Sequence, residues 1–308
     1  MQTIYKIKTI IKDYIFNLNK MISSDNLLVF ILKMLLIVLL LFMNDNTILY
    51  ILIPVLIIPG ILINKITTNK YYWLIISVFS IIPYLILDLI GYVPNHKHIF
   101  AYAILATTLM LFYSKKEEIL KNLGAQAKFI IGLCFLFAVI GKFLAPEFTN
   151  GAFFEFTNTA DPRFFGFTSF MADIDMSLLL KNETNLYDLM NTTNPDNFFY
   201  LNGVEKLSNI GLTVSYWTIF IEGMIAISFC LPNNFLISKY RNVFLVTFIL
   251  TTYPIATVSG FAIILTTLGF IQSIKDNKLT NYSLFYLLVY ITLPLIKIPF
   301  LRVLDAIF

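Results

Sequence analysis

Apolar residues gather in nine segments: 27–43, 47–64, 71–89, 98–113, 128–144, 208–230, 242–256, 259–272 and 283–300. Several hold 16–20 residues with few or no charges. Lipid admits only backbone that satisfies its own hydrogen bonds, so such runs predict spanning helices. The strict alternation of an outer-membrane barrel is missing. The expected fold is all-α: a polytopic transmembrane helical bundle of about eight or nine membrane segments with one long outer loop. Pro54, Pro59 and Gly60 predict a bend in the second helix, and Pro83 one in the third. As one helix, 242–272 would span about 46 Å against a hydrocarbon core of about 30 Å. Pro254 and Gly260, within TTYPIATVSG (251–260), therefore predict two short helices with a break. The alternative is a single kinked, strongly tilted helix.

Composition agrees with this pattern. Apolar residues make up 58% of the chain and charged ones 13%, with mean hydropathy +0.79. A soluble domain carries about 25% charged residues. The net charge of +4 is small and argues topology rather than nucleic-acid binding. Lys6, Lys8, Lys12 and Lys20 precede the first apolar run, which ends without a cleavage-site pattern and predicts a retained first helix. Residues 4–18 fit a short amphipathic helix on the inner surface. Lysines recur at Lys65 and Lys70, at Lys115, Lys116, Lys121 and Lys128, at Lys239 with Arg241, and at Lys275 and Lys278. Residues 145–207 hold nine acidic residues and three basic ones. Positive-inside alternation then puts the amino terminus in the cytoplasm and 145–207 outside. The expected division is 1–26 cytoplasmic, 27–144 first membrane helices, 145–207 outer segment and 208–308 last membrane helices. The outer segment carries FFEF (153–156), DPRFFGF (161–167) and NFFYL (197–201), which predict a fold onto the membrane or a partner surface.

Charges within the apolar segments need a reason, since each costs about 2.5–3.5 kcal/mol on insertion scales. Asp88 and Lys142 both fall near outer helix ends and are placed to pair. Glu222 lies fourteen residues below the start of its segment, about 21 Å at helical rise. That depth assigns it to Lys33 rather than to Lys142. Lys142 itself has two readings. It snorkels to the headgroups, or it sits desolvated in an outer pocket as a base. His96 is a helix-cap neighbour or a hydrogen-bonding group at that pocket. Tyr216, Trp217 and Tyr253 of the TTYP break fall on the same side, as candidate ligand contacts. Cys134 and Cys230 sit in apolar runs without metal-ligand spacing. ADID (172–175) reads as solvated carboxylates, and no metal site is expected.

Taken together, PNHKHIF (94–100), IIGLCFLFAVIGKFL (130–144), the later Gly151 and YWTIFIEGMIAISF (216–229) resemble the membrane region of the vitamin K-dependent gamma-carboxylase-like (HTTM) superfamily. The likeness is closer still to uncharacterised bacterial membrane proteins of that type. It is concentrated in 94–167 and 211–272. It implies an inner-membrane location and a reduced quinone as cofactor. It also implies Lys142 as base, His96 in an Asn-His motif, and Glu222 as a structural acid. The family shows a lysine pair where this chain has Gly141-Lys142, and 145–207 lacks an evident glutamyl-peptide site. Two functions follow as expectations. The first is a membrane protein handling a quinone or lipid in an outward-facing pocket. The second is a non-catalytic subunit or assembly factor that docks a membrane-complex partner through 145–207. A carrier built on the broken pair in 242–272 ranks behind both.

Overall fold

The computed structural model describes residues 13, 15–17, 19–20, 23–42, 47–90, 95–191, 201–255 and 258–296. The amphipathic reading of 4–18 falls largely outside that set, as do residues 197–200 of NFFYL. In chain order the helices are α1 (Ser24–Phe42), α2 (Thr47–Leu62), α3 (Asn64–Thr67), α4 (Lys70–Ile90), α5 (Asn95–Tyr113) and α6 (Ile119–Leu144). Next come α7 (Pro146–Thr149), α8 (Ala152–Ala160), α9 (Phe165–Ala172) and α10 (Met176–Asn191). Last are α11 (Ser208–Cys230), α12 (Leu236–Lys239), α13 (Arg241–Thr252), α14 (Ser259–Ser273) and α15 (Asn281–Ile296). The chain is all-α, with no strand pairing among the described residues beyond an isolated Lys275–Lys278 bridge. Each of the nine apolar segments carries a helix. Among the described residues three helices are long and apolar enough to cross a membrane: Ser24–Phe42, Lys116–Leu144 and Ser208–Cys230. Residues 242–272 form two helices, α13 and α14, parted around Pro254.

The chain divides into two compact units, Met1–Ile131 with Ser259–Phe308, and Gly132–Val258. In the first unit α14 is buried from Ala262 through Ser273. A helix apolar on every side belongs inside a bundle. Its Thr266 and Thr267 hydroxyls donate to the Ala262 and Ile263 carbonyls, so they bury no unpaired polar group. Trp73 is fully buried and donates its indole N–H to the Thr67 carbonyl at 2.7 Å. One end of this unit gathers Asn19, which bonds Leu279 both ways, and the Asp25–Lys116 ion pair. At the other end buried Lys97 donates to the Phe42 carbonyl and closes the carboxyl end of α1.

In the second unit α11 packs against α8 and α13. The expected outer loop is instead largely helical, α7 to α10. Its punctuation is local chemistry. Pro146 starts α7. The side-chain oxygens of Asn150, Asp161 and Asp175 accept from backbone amides two residues on, at Ala152, Arg163 and Ser177. Asp175 of ADID is thus a turn-and-cap residue at the start of α10. Burial alone would raise the Asp161 carboxyl, but hydrogen bonds from Arg163 outweigh it and hold the group below its usual value. Two apolar clusters close this cap onto α11. One holds Phe148, Phe154, Phe164 and Ile219, the other Phe165, Ile174, Leu179 and Leu207.

Candidate functional site

Lys142 and Glu222 meet in the second unit, and the backbone explains how. A Cβ on Gly132 of α6 would lie 2.9 Å from the Cys230 sulfur and 3.1 Å from its amide nitrogen, so the two helices touch there. Ten residues further along α6, Lys142 reaches Glu222, eight residues back along α11. Beyond α6, Gly151 meets Gly211 and Leu212 in the same way. These contacts follow one antiparallel register along α11. Because α6 ends at Leu144, the first part of α11 runs on past it, by about eleven residues or roughly 16 Å. That stretch is covered by α7 and α8.

The Lys142 ammonium donates to Glu222 Oε2 at 2.6 Å, with side-chain exposures of 17% and 10%. The same ammonium lies 5.1 Å from the Phe148 ring centroid, a cation–π contact. Phe148 in turn stacks on Phe153 at 4.8 Å and meets Phe154 edge-on at 5.2 Å. Aromatic rings of the cap therefore roof the ion pair. Cys134 lies two turns below Lys142 on α6. Ser215 lies two turns above Glu222 on the same face of α11. It is fully buried, and its hydroxyl has no hydrogen-bond partner among the described residues. The Asn158 amide on α8 is in the same condition.

This corrects the pairing read from depth. Glu222 pairs with Lys142, not with Lys33. Counting depth from residue 208 assumed that α11 begins at the membrane face. Its first turns belong to the helical cap, so Glu222 lies level with the end of α6. Lys33 sits half-buried on α1 with no ion pair among the described residues. Asp88 and His96 have helical backbone, in α4 and α5, but their side chains lie outside the described residues. Of the candidate ligand contacts, Trp217 donates its indole N–H to the Thr251 hydroxyl of α13 at 3.3 Å. Tyr253 meets Phe248 edge-on at 6.0 Å. Tyr216 is 58% exposed. Residues missed from sequence are Phe148, Ser215 and Asn158. Only the spacing Ser215–Glu222, seven residues apart on one helix face, was there to be read.

Chemically, the pair offers a cation with two ammonium protons beyond the one given to Glu222, a carboxylate oxygen beyond the one accepting it, and an aromatic roof, with the orphan Ser215 hydroxyl about 10 Å further along α11. Family models, curated proteins and solved structures were all compared with the chain, and none matches.

Proposed function

We propose that the chain is a polytopic integral membrane protein of gamma-carboxylase-like architecture. In this reading it has eight or nine membrane segments in a bacterial inner membrane, a cytoplasmic amino terminus and an outer cap, 145–207. Its second unit binds an amphipathic ligand with a hydrogen-bonding head, a reduced quinone or a lipid, at Lys142 and Glu222. The observation that carries the reading is the buried ion pair under the Phe148 roof. Two charges in an apolar helix pair are costly, and apolar residues would pack there at least as stably. The unpaired Ser215 hydroxyl on the same helix face supplies a further polar contact.

Lys142 in this state is a donor rather than a free base. Its proton has a receiver, Glu222 Oε2, at 2.6 Å. Transfer of that proton leaves a neutral amine and a carboxylic acid. The amine then takes a proton from a ligand hydroxyl, which becomes the oxyanion beside the restored ammonium. The double variant Lys142→Met/Glu222→Met removes both charges together and so avoids leaving one stranded. Organic extracts of purified wild type should contain a quinone or lipid that this variant lacks, by mass spectrometry, while its melting temperature holds. An identical complement in both proteins would refute ligand binding at the pair.

A second reading, docking of a partner, is favoured by the outer surface of the cap. Phe170 is 85% exposed and Met190 77% exposed, in a segment of nine acids and three bases. Such a face suits a membrane protein with a basic, apolar surface. A photo-crosslinking residue at position 170 in cells should give one discrete protein adduct, weakened by Met190→Ser. Labelling of lipid alone would count against it.

A further inference from the structure

At the end of the first unit that holds the Asp25–Lys116 pair lies a cavity of about 470 Å³. Its polar lining is Asp25, Asn64, Lys65, Thr68, Lys70 and Lys116. Its apolar wall includes Leu28, Leu111 and Ile119. Asp25 is already spoken for, since Lys116 binds it at 2.7 Å. Lys65 and Lys70 have no carboxylate partner among the described residues. The Lys70 ammonium is steadied by rings instead, 4.9 Å from the Phe112 centroid and 5.4 Å from that of Tyr71. Three lysines and one aspartate thus line one cavity, an arrangement whose repulsion an anion relieves.

We infer that this cavity binds a phosphate-ester anion through Lys65, Lys70 and Lys116. A tetrahedral phosphate offers acceptor oxygens in several directions, which suits three separate point charges. The volume falls within the roughly 300–1,000 Å³ of small-molecule pockets, well above the need of phosphate alone. The apolar wall fits the glycerol and first chain carbons of a lipid. The lysines are those that the charge pattern puts on the cytoplasmic face, where anionic lipids concentrate. The lipid source rests on the membrane reading above; the phosphate chemistry does not.

The test uses the full chain in nanodiscs of phosphatidylcholine doped with phosphatidylglycerol, with lipid retention read by native mass spectrometry. Wild type should retain phosphatidylglycerol over phosphatidylcholine. Lys65→Gln/Lys70→Gln should lower that retention about tenfold, and Lys65→Arg/Lys70→Arg should keep it. Asp25→Asn should raise retention by releasing Lys116, an increase that misfolding cannot imitate. A second arm adds inorganic phosphate to protein in phosphatidylcholine alone. A lysine-dependent rise in melting temperature there, without lipid preference, supports the site with soluble phosphate as its source. A wild-type lipid preference that the glutamine variant keeps in full, or neither lipid preference nor lysine-dependent phosphate stabilisation, overturns the inference. Loss of quinone or lipid from Lys142→Met/Glu222→Met leaves this result untouched, so the two sites fail separately.

Discussion

Glu222→Met lowers the stability of the Gly132–Val258 unit by about 3–5 kcal/mol, the usual cost of leaving one partner of a buried ion pair uncompensated. Lys142 is 17% exposed at its side chain and its carboxylate partner is 2.6 Å away. Without Glu222 the ammonium keeps only the Phe148 ring, worth about 0.5–2 kcal/mol. Snorkelling past the end of α6 is blocked by α7 and the aromatic cluster that follows it. The midpoint of detergent-denaturant unfolding, read by Trp217 fluorescence in a Trp73→Phe background, measures the loss. A midpoint equal to that of wild type would mean that the ammonium finds water or headgroups without Glu222.

Gly151→Val is expected to release the cap. Gly151 has φ +88°, a left-handed conformation that costs other residues about 1–2 kcal/mol. Its Cβ would also stand 2.9 Å from the Leu212 nitrogen and 3.0 Å from Leu212 Cα. Both are backbone atoms of a continuous helix and cannot swing aside. Overpacking of that kind adds about 1–3 kcal/mol. Limited proteolysis should then cut within 145–207 much faster than in wild type, while α11 and α13 stay protected. Gly166→Ala is the control, because a Cβ there meets nothing within 4 Å. Equal cleavage of Gly151→Val and Gly166→Ala would show that α8 does not depend on this close approach.

Much of the helical content was legible in the apolar pattern. Pro254 and Gly260 marked the break between α13 and α14. Boundaries suffered where helix propensity and hydropathy disagree. α6 starts at Ile119 rather than 128, because ILKNLGAQAK is rich in good helix formers yet too polar to register as an apolar run. The cap was read as a loop for a related reason. Three of its four helices are short, α10 is half polar, and a Pro, Asn or Asp that also signals a turn stands at or a few residues before each start. Lys142 and Glu222 stood out singly as charges in apolar surroundings. Their pairing did not, because it depends on α11 overrunning α6, and no residue type announces that offset. Ser215 and Asn158 were invisible for a simpler reason. A small polar residue in a helix usually satisfies itself, as Thr157, Thr213 and Thr218 do by donating to carbonyls four residues back.

The coupling between Lys142 and Glu222 tests the account most directly. Unfolding midpoints of wild type, Lys142→Met, Glu222→Met and the double variant form a closed cycle. A shared buried pair predicts two badly destabilised single variants and a double variant restored close to wild type, with coupling above about 2 kcal/mol. Losses that simply add, leaving the double variant the weakest of the four, would contradict it.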